Sequence, residues 1–249
     1  MEGTSHGNVG IVIPSYNESD NIVPLIEEIV RYMPDALIVV VDDSLDLQTV
    51  AAVKTLRLPQ VQVIHRHEKG GRGSAIIEGI RWLRGKECGI IVEMDADFSH
   101  PPKQIPELVS YLQKKKLDLL IATRYLPESR VENWPFSRRI FSKCSNWLTR
   151  HTLQVPVSDY TNGFRVYSRA ASDIIVEHCG HRGTGFIPLS EILVSIYYRG
   201  LLVGEVPTVF VNRGRGESSL NFREIKNALV GLWMIYALKQ ELKRQKCWR

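Results

Sequence analysis

The amino-acid sequence predicts an α/β fold, a mostly parallel Rossmann-like sheet flanked by helices. Short apolar runs typical of buried strands alternate with helical patterns through the first half of the chain. Acidic residues stand directly after two of these runs, at Asp42-Asp43 and at Asp95-Ala96-Asp97. The chain has 249 residues, 44% of them hydrophobic, which is enough for one large domain. In such folds ligands bind beyond the carboxyl ends of the strands.

The N-terminal half contains four apolar runs that predict buried strands. They cover residues 9–13, 37–41, 61–64 and 89–92. Helical spacing of apolar residues predicts helices up to residue 32, over 47–56 and over 75–83. A glycine-rich turn, Lys69 to Ser74, precedes the third of these helices. This alternating order is that of a doubly wound parallel sheet.

The C-terminal half continues the alternation with longer connections. Further strands are predicted over 118–122, 164–167 and 203–211. Further helices are predicted over 103–115, around the basic segment 138–143, and over 189–198. Residues 127–135 end in a proline and contain a second one, and they predict a mobile loop.

The last helix, predicted over 221–243, differs from the others in polarity. Its residues 228–238 are apolar on every side, and such a helix has to be covered by protein or lipid. A basic tail follows. We therefore divide the chain into a main domain, 1–220, and an amphipathic or apolar C-terminal helix with a basic tail, 221–249.

Composition and charge exclude several classes of protein. The net charge of +5 and a pI near 9.0 favour anionic partners, but no basic stripe is interleaved with aromatic residues, so we expect no nucleic acid. The four cysteines lack C-x-x-C spacing, which argues against a zinc site or disulfide framework and favours a reducing cytosol. The sequence shows neither an apolar signal segment nor an apolar run of the ~20 residues that span a membrane.

Asp95 and Asp97 are the first candidate functional residues. Because Asp95 and Asp97 are two residues apart at a strand end, their side chains lie on the same side. With Ser99 and His100 beside them, they suit a Mg²⁺ or Mn²⁺ ion that carries phosphate oxygens. The alternative is an acidic loop that caps the next helix, which Pro101 introduces.

Six motifs taken together resemble a known family. They are Val12 to Glu18, Val41 to Asp43, Asp95 to Asp97, Thr123 to Tyr125, Ser158-Asp159 with Gly163 to Arg165, and Gly216 to Ser218. In this order, over about residues 9–225, they resemble family 2 glycosyltransferases of the GT-A fold, specifically dolichyl- or polyprenyl-phosphate mannose synthases.

The resemblance implies a nucleotide-sugar donor, GDP-mannose or a UDP-sugar. Pro14, Tyr16 and Glu18 match the turn that packs on the base and ribose. Asp42 and Asp43 match the second strand end, where a carboxylate recognises the nucleoside.

The D-x-D motif implies a metal as well as a donor contact. Asp97 would bind the Mg²⁺ or Mn²⁺ ion that bridges the two phosphates, with Asp95 as a second candidate ligand and Ser99 completing the shell. Asp95 and Ala96 would also contact the ribose or donor sugar. Arg213 matches a position near the phosphates.

For the acceptor, the resemblance implies a polyprenyl or dolichyl phosphate. Arg124, Arg138 and Ser142 match residues near its phosphate; a solvated basic helix is the alternative for the last two. Asp159 is the candidate carboxylate near the acceptor, as a base or as the group that orients the attacking phosphate. Asp97, Asp159 and Arg124 are therefore the predicted catalytic residues.

The sequence departs from the family pattern at two loops. After Asp42-Asp43 the usual glycines are missing from residues 44–49. In the second loop Ser219 replaces a lysine that contacts phosphate in the family, and Arg215 is a candidate to supply this contact. Within the glycine-rich turn, Arg72 is a minor candidate for a phosphate contact.

The resemblance implies metal-dependent transfer of one hexose, mannose from GDP-mannose, to a polyprenyl or dolichyl phosphate with inversion. The enzyme would be cytoplasmic and peripheral on the cytoplasmic face of a membrane, bound to the surface or to a small membrane-protein partner. Two alternatives stay open: a UDP-sugar-dependent enzyme of the same family with another donor (UDP-glucose or a UDP-N-acetylhexosamine) or another acceptor, and a non-catalytic nucleotide-sugar-binding subunit.

Overall fold

The computed structural model describes residues 8–180, 187–212 and 222–247. Its strands are β1 (Val9–Ser15), β2 (Leu37–Asp42), β3 (Val61–His65), β4 (Ile90–Glu93), β5 (Leu119–Thr123), β6 (Arg130–Glu132), β7 (Arg165–Ser168), β8 (Val203–Pro207) and β9 (Val209–Val211). Seven of them form one sheet in the order β3-β2-β1-β4-β7-β5-β8. In this sheet β7 runs antiparallel to both neighbours and the other pairs are parallel. The mostly parallel sheet predicted from the sequence is confirmed.

Helices cover both faces of this sheet. They are α1 (Ser19–Tyr32), α2 (Gln48–Thr55), α3 (Arg72–Gly85), α4 (Ile105–Lys115), α5 (Phe136–Leu153), α6 (Arg169–His178), α7 (Ile187–Tyr198) and α8 (Phe222–Cys247), with a 3₁₀ turn, Pro102–Gln104, before α4.

The core lies on both sides of the sheet because successive strand side chains point to opposite faces. On β2, Ile38 and Val40 pack with α1, α2 and α4, whereas Val39 and Val41 pack with the cluster formed by α3, α6, α7 and α8. A strand buried on both faces is apolar at every position, which explains the continuous runs in the sequence.

The antiparallel direction of β7 positions the functional loops. Its first residue, Arg165, lies opposite Glu93 at the end of β4 and opposite Ile121 near the end of β5. The loop that precedes β7 therefore reaches the same sheet edge as the loops that follow β1, β2, β4 and β5. This edge brings Asp159 toward Asp95 and Arg124.

Three local predictions differ from the structure. The strand predicted over 203–211 is divided at Thr208, whose N–H donates to the carbonyl oxygen of Thr123 at 3.1 Å, into β8 of the main sheet and β9. β9 pairs in parallel with β6, so the loop prediction for 127–135 is wrong at residues 130–132. Helix α3 begins at Arg72 instead of residue 75. Its Gly73 packs so closely on Pro188 that a Cβ would lie 2.1 Å from that ring.

One side of α8 belongs to the core. Ile235, Leu238 and Leu242 are buried against the remainder of the fold. Lys239 is also buried, and its Nζ donates to Thr152 O at 2.7 Å and to Gln154 Oε1 at 2.9 Å at the end of α5.

The opposite side of α8 is exposed and apolar. It carries Leu229, Val230, Trp233 and Tyr236. Protein therefore covers only part of the apolar stretch 228–238. No helix in the described parts of the chain is long and apolar enough to span a bilayer.

Candidate active site

The predicted nucleoside carboxylate Asp42 is fully buried and joins two turns. Ser44 donates its hydroxyl to Asp42 Oδ1 at 2.6 Å and accepts the Asn17 N–H at 2.8 Å. His65 Nδ1 lies 3.3 Å from Asp42 Oδ2. Ser44 thus connects the turn after β2 to the turn after β1, and this contact holds a loop that lacks the usual glycines.

Asp43 is paired with an arginine that the sequence did not single out. Arg66 donates Nε to Oδ1 at 2.5 Å and Nη2 to Oδ2 at 2.6 Å, and the Gly71 N–H donates to Oδ2 at 2.9 Å. Such a two-point contact fixes the carboxylate plane. Both oxygens of Asp43 are therefore engaged within the protein, which ties the turn after β2 to the glycine-rich turn.

Pro14, Tyr16 and Glu18 lie along the end of β1 and the turn that follows. Pro14 is within the strand, and the Tyr16 ring is 40% exposed with Lys69 Nζ 3.5 Å from its centroid. Glu18 Oε2 accepts from Asn21 at 2.6 Å, and its carbonyl receives the first N–H groups of α1. Tyr16 is thus an accessible aromatic surface at the edge of the site.

Asp97 and Ser99 form the part of the site that best fits a cation. Asp97 Oδ1 accepts the Ser99 N–H at 3.0 Å across Phe98, whose φ is 59°. Ser99 Oγ is buried and has no hydrogen-bond partner among the described residues. A partly exposed carboxylate beside an orphaned hydroxyl offers the hard oxygen ligands that Mg²⁺ and Mn²⁺ prefer.

The alternative interpretation of these aspartates as helix caps finds no support in the described structure. Neither the turn Pro102–Gln104 nor α4 receives a side-chain cap hydrogen bond. The described part of the chain also contains no cluster of three or more His, Cys, Asp or Glu side chains placed to hold a metal.

Asp95 differs from Asp97 because Arg72 holds it. Arg72 Nε and Nη2 lie 2.9 Å and 2.7 Å from Asp95 Oδ1. Burial alone would raise the pKa of Asp95, but the charge of Arg72 and its hydrogen bond hold it below its ordinary value. Ala96, which separates Asp95 from Asp97, is buried. Asp95 is therefore an ionised acceptor of fixed orientation.

His100 supports this loop from beneath as a neutral side chain. Its Nδ1 accepts the Asp95 N–H at 3.1 Å, so Nε2 carries the proton and donates to Asn162 Oδ1 at 3.0 Å. The ring stacks on Phe164 with centroids 5.0 Å apart. Burial lowers the pKa of His100, in agreement with a neutral ring.

Arg124 and Asp159 form a buried pair. Arg124 Nε and Nη2 donate to the two oxygens of Asp159, each at 2.8 Å, and the Arg124 N–H donates at 3.2 Å. The N–H groups of Thr161 and Asn162 add bonds of 3.1 Å and 3.0 Å to Asp159 Oδ1. Burial acts to raise the pKa of Asp159, but these contacts, Arg124 first, lower it. A carboxylate so saturated is a poor proton acceptor.

Aromatic rings surround the Arg124 guanidinium. Its carbon lies 5.1 Å from the Trp134 centroid, 5.3 Å from Phe210 and 5.7 Å from Tyr125. Trp134 follows β6 and Phe210 belongs to β9, so the small second sheet serves to build this side of the site. Sequence reasoning missed both residues.

Arg138 and Ser142 of α5 reach the same place. Arg138 lies 4.9 Å from the Trp134 ring and donates Nη1 to Asn212 Oδ1 at 3.2 Å. Ser142 Oγ lies 2.6 Å from the Tyr125 hydroxyl. Burial and the nearby Arg124 lower the pKa of Arg138. The structure thus brings together two arginines that the sequence placed in different motifs.

The site has two electrostatic halves. The strand ends carry Asp42, Asp43, Asp95 and Asp97, a place for a nucleoside and a cation. Arg124 and Arg138 face them from the aromatic cluster, a place for a phosphate. Arg213, Arg215 and the motif from Gly216 to Ser219 lie outside the described residues.

Comparison with solved structures finds the same fold in two synthases. Glucosyl-3-phosphoglycerate synthase from Mycobacterium tuberculosis, in complex with Mn²⁺, UDP-glucose and phosphoglyceric acid, superposes with a TM-score of 0.65 at 18% identity over 93% of this chain and 80% of that one. Mannosyl-3-phosphoglycerate synthase from Rubrobacter xylanophilus gives a TM-score of 0.66 at 17% identity over 96% and 75%. At such identities the likeness shows the GT-A fold alone.

Sequence comparison shows the family. Polyprenol monophosphomannose synthase of Mycolicibacterium smegmatis is 32% identical over 88% of this chain and 83% of its own length. Undecaprenyl-phosphate mannosyltransferase of Micrococcus luteus is 32% identical over 89% and 90%. The model of Glycosyl transferase family 2 matches residues 10–175. With more than half of the chain matched and the strand-end carboxylates in place, the chain belongs to glycosyl transferase family 2 and is a glycosyltransferase.

Proposed function

We propose that the enzyme transfers mannose from GDP-mannose to a polyprenyl or dolichyl phosphate with inversion at the anomeric carbon. The observation that carries this proposal is the facing arrangement of the acidic strand ends and the pair Arg124 and Arg138. The acidic half suits a cation-bound donor, and the basic half suits an anionic acceptor. The names of the two relatives supply the sugar and the lipid class.

In this mechanism the acceptor phosphate lies against Arg124 and Arg138. One of its oxygens attacks the anomeric carbon while the bond from that carbon to the diphosphate oxygen breaks, so the nucleoside diphosphate leaves. Arginine suits the task because its planar fork binds phosphate oxygens at two points. Arg138 offers such a fork, whereas Arg124, whose Nε and Nη2 bind Asp159, contributes its positive charge.

No protein base is required in this mechanism. A phosphate monoester carries about −1.5 to −2 charge near neutral pH, so its attacking oxygen is already ionised. Asp159 instead orients Arg124 through its paired bonds of 2.8 Å. Of the two roles predicted for Asp159, we propose the orienting one.

We propose that Asp97 and Ser99 hold a Mg²⁺ or Mn²⁺ ion together with the donor phosphates, while Asp95 accepts a hydroxyl of the ribose or sugar. Such an ion supplies Lewis-acid stabilisation of the charge that develops on the leaving diphosphate. The Mn²⁺ in the glucosyl-3-phosphoglycerate synthase complex supports a divalent cation in this fold.

The exposed faces of α5 and α8 motivate the location that we propose. On α5 the exposed side chains include Phe136, Ile140, Phe141, Trp147 and Leu148, with Arg139 and Lys143 among them; on α8 they include Leu229, Val230, Trp233 and Tyr236. Aromatic and basic side chains together suit an anionic lipid surface. We propose peripheral attachment to the cytoplasmic face of a membrane, with 221–249 as a contact segment of the domain 1–220.

One assay tests the function directly. Purified protein is incubated with Mg²⁺ or Mn²⁺, a polyprenyl phosphate and a panel of labelled GDP- and UDP-sugars. We expect metal-dependent product from GDP-mannose. Preference for a UDP-sugar would replace the donor, and absence of turnover with every donor would favour a non-catalytic binding subunit.

Attachment is tested by flotation with vesicles of anionic and of neutral lipid. We expect binding to the anionic vesicles alone. Absence of binding to either would overturn direct attachment and favour a membrane-protein partner.

A further inference from the structure

A charged network adjoins the D-x-D motif; it is fully buried at Glu93 and Tyr167 and partly exposed at Arg72 and Asp95. Arg72, the first residue of α3, places its guanidinium between the end of β4 and the loop before β7. Gly163 of that loop permits this approach, because a Cβ there would lie 1.8 Å from Arg72 Nη2. The site is therefore shaped around this arginine.

Arg72 bridges two carboxylates. In addition to its contacts with Asp95, its Nη2 donates to Glu93 Oε1 at 2.9 Å. Glu93 is fully buried, and its second oxygen accepts the Tyr167 hydroxyl at 2.6 Å. Glu93 has no route to a ligand, so its contribution is to hold Arg72.

Stability alone does not account for this arrangement. Apolar side chains of similar volume often replace a buried ion pair without loss of stability. Arg72 Nη1 is moreover buried without a hydrogen-bond partner in the described structure, which is an unfavourable state for a donor. Arg72 thus binds Asp95 and Glu93, while its Nη1 group is left without a hydrogen-bond partner in the described structure.

We propose that Arg72, fixed by Glu93 and Tyr167, is a positioning residue for the nucleotide-sugar donor that acts through Asp95. Arg72 binds Asp95 Oδ1, so Asp95 Oδ2 is left to accept a hydroxyl of the donor. Asp97, the second carboxylate of the D-x-D motif, is not paired with Arg72. This inference rests on the proposed function, because it assigns a donor contact to Asp95.

The decisive variant removes the three groups that support Asp95 together and leaves Asp95, whose side chain is 30% exposed, in place. Arg72→Met/Glu93→Leu/Tyr167→Phe replaces all three polar groups with apolar ones. We expect a thermal midpoint close to that of the wild type, a rise of about tenfold in the Kd of GDP-mannose measured by calorimetry with Mn²⁺, and an unchanged KM for polyprenyl phosphate.

Arg84→Met is the matched control. Arg84 lies at the other end of α3 and donates Nε to Asp173 Oδ1 at 2.7 Å, so its loss removes a similar ion pair far from the site. We expect the control to lower the thermal midpoint and leave the donor Kd unchanged.

The Kd of the triple variant for the donor decides whether Arg72 positions the donor. A wild-type value, or an equal weakening of donor and acceptor, would overturn the positioning role. Failure of the wild type to use GDP-mannose would count against the proposed function instead, and the comparison would then use the donor that the wild type binds.

Discussion

The acidic half of the site is held by paired charges, whereas its basic half is held largely by aromatic rings. Arg66 fixes Asp43 and Arg72 fixes Asp95, each through two short contacts. Arg138 has instead the Trp134 ring and one hydrogen bond to Asn212.

This difference matches the two substrates. A nucleotide-sugar has a defined shape and many polar groups, so a preorganised set of acceptors suits it. The lipid phosphate that we propose as acceptor would arrive from a membrane surface, and an arginine on an exposed helix would be accessible to it. Asp97 and Arg124 depart from this pattern, since Asp97 is partly exposed and Arg124 is fully paired with Asp159. The following predictions test the comparison, from the largest expected effect to the smallest.

Asp97→Ala removes the carboxylate that we assign to the cation. We expect activity to fall by at least ~10³-fold in a metal-dependent transfer assay, because the leaving diphosphate loses its charge stabilisation. The thermal midpoint should change little, since within the described parts of the chain Asp97 accepts one hydrogen bond, from the Ser99 N–H. Asp35→Ala, an exposed aspartate before β2, is the control. Retained activity in Asp97→Ala would remove the metal assignment.

Asp159→Asn breaks the buried pair with Arg124. We expect a loss of about 3–5 kcal/mol in the free energy of unfolding, because an uncompensated buried charge remains. Turnover should also fall, since Arg124 loses its orientation. Urea denaturation measures the first effect and single-turnover transfer the second. Wild-type turnover in a folded variant would contradict the orienting role.

The same pair predicts a dependence of stability on pH. The pKa of Asp159 is lowered in the folded protein, so the unfolded state binds more protons on the acid side. This contribution is complete above the ordinary aspartate pKa of ~3.9 and is lost as pH falls through the lower folded value. Urea midpoints from pH 3 to 7 should fall less steeply toward acid in Asp159→Asn than in the wild type. Equal slopes would show that the pair contributes no pH-dependent stability.

Arg138→Ala tests the basic half. We expect the KM for polyprenyl phosphate to rise about tenfold, the value of one charge-assisted contact, with the KM for GDP-mannose unchanged. Arg150→Ala is the matched control because this exposed arginine lies in the last turn of the same helix, far from Arg138. An equal rise in both KM values would place Arg138 with the donor.

Trp233→Ser tests the exposed face of α8. The ring is 70% exposed, so we expect no loss of stability and a several-fold weaker partition onto anionic vesicles. Leu202→Ser, a 57% exposed residue before β8, should leave partition unchanged. Equal partition of the Trp233 variant and the wild type would exclude this ring from the contact.

Sequence reasoning recovered the acidic half better than the basic half. Asp42 and Asp95 follow continuous apolar runs, so their location at one sheet edge follows from the parallel order. Their arginine partners depend on packing between distant segments, and Arg66 carries no local signal.

The basic half required tertiary contacts. Trp134 and Phe210 meet through a two-stranded sheet whose strands have three residues each, too short to show a period of two. Helix α6 was not predicted either, because only Ala171, Ser172 and Ile175 of its ten residues are buried. A strand was predicted over 164–167, where β7 lies, but its antiparallel direction had no signature in the sequence, although this direction positions Asp159.

The contact of Lys239 with the end of α5 has a mechanical consequence. Helix α5 has 18 residues and is ~27 Å long, with Arg138 in its first turn and the Lys239 anchor at its last. A rod anchored at one end transmits a tilt along its length. On the membrane attachment that we propose, a shift of α8 would reach the end of α5 through Lys239 and through the apolar side chains that pack beside Leu153, and α5 would carry it to Arg138.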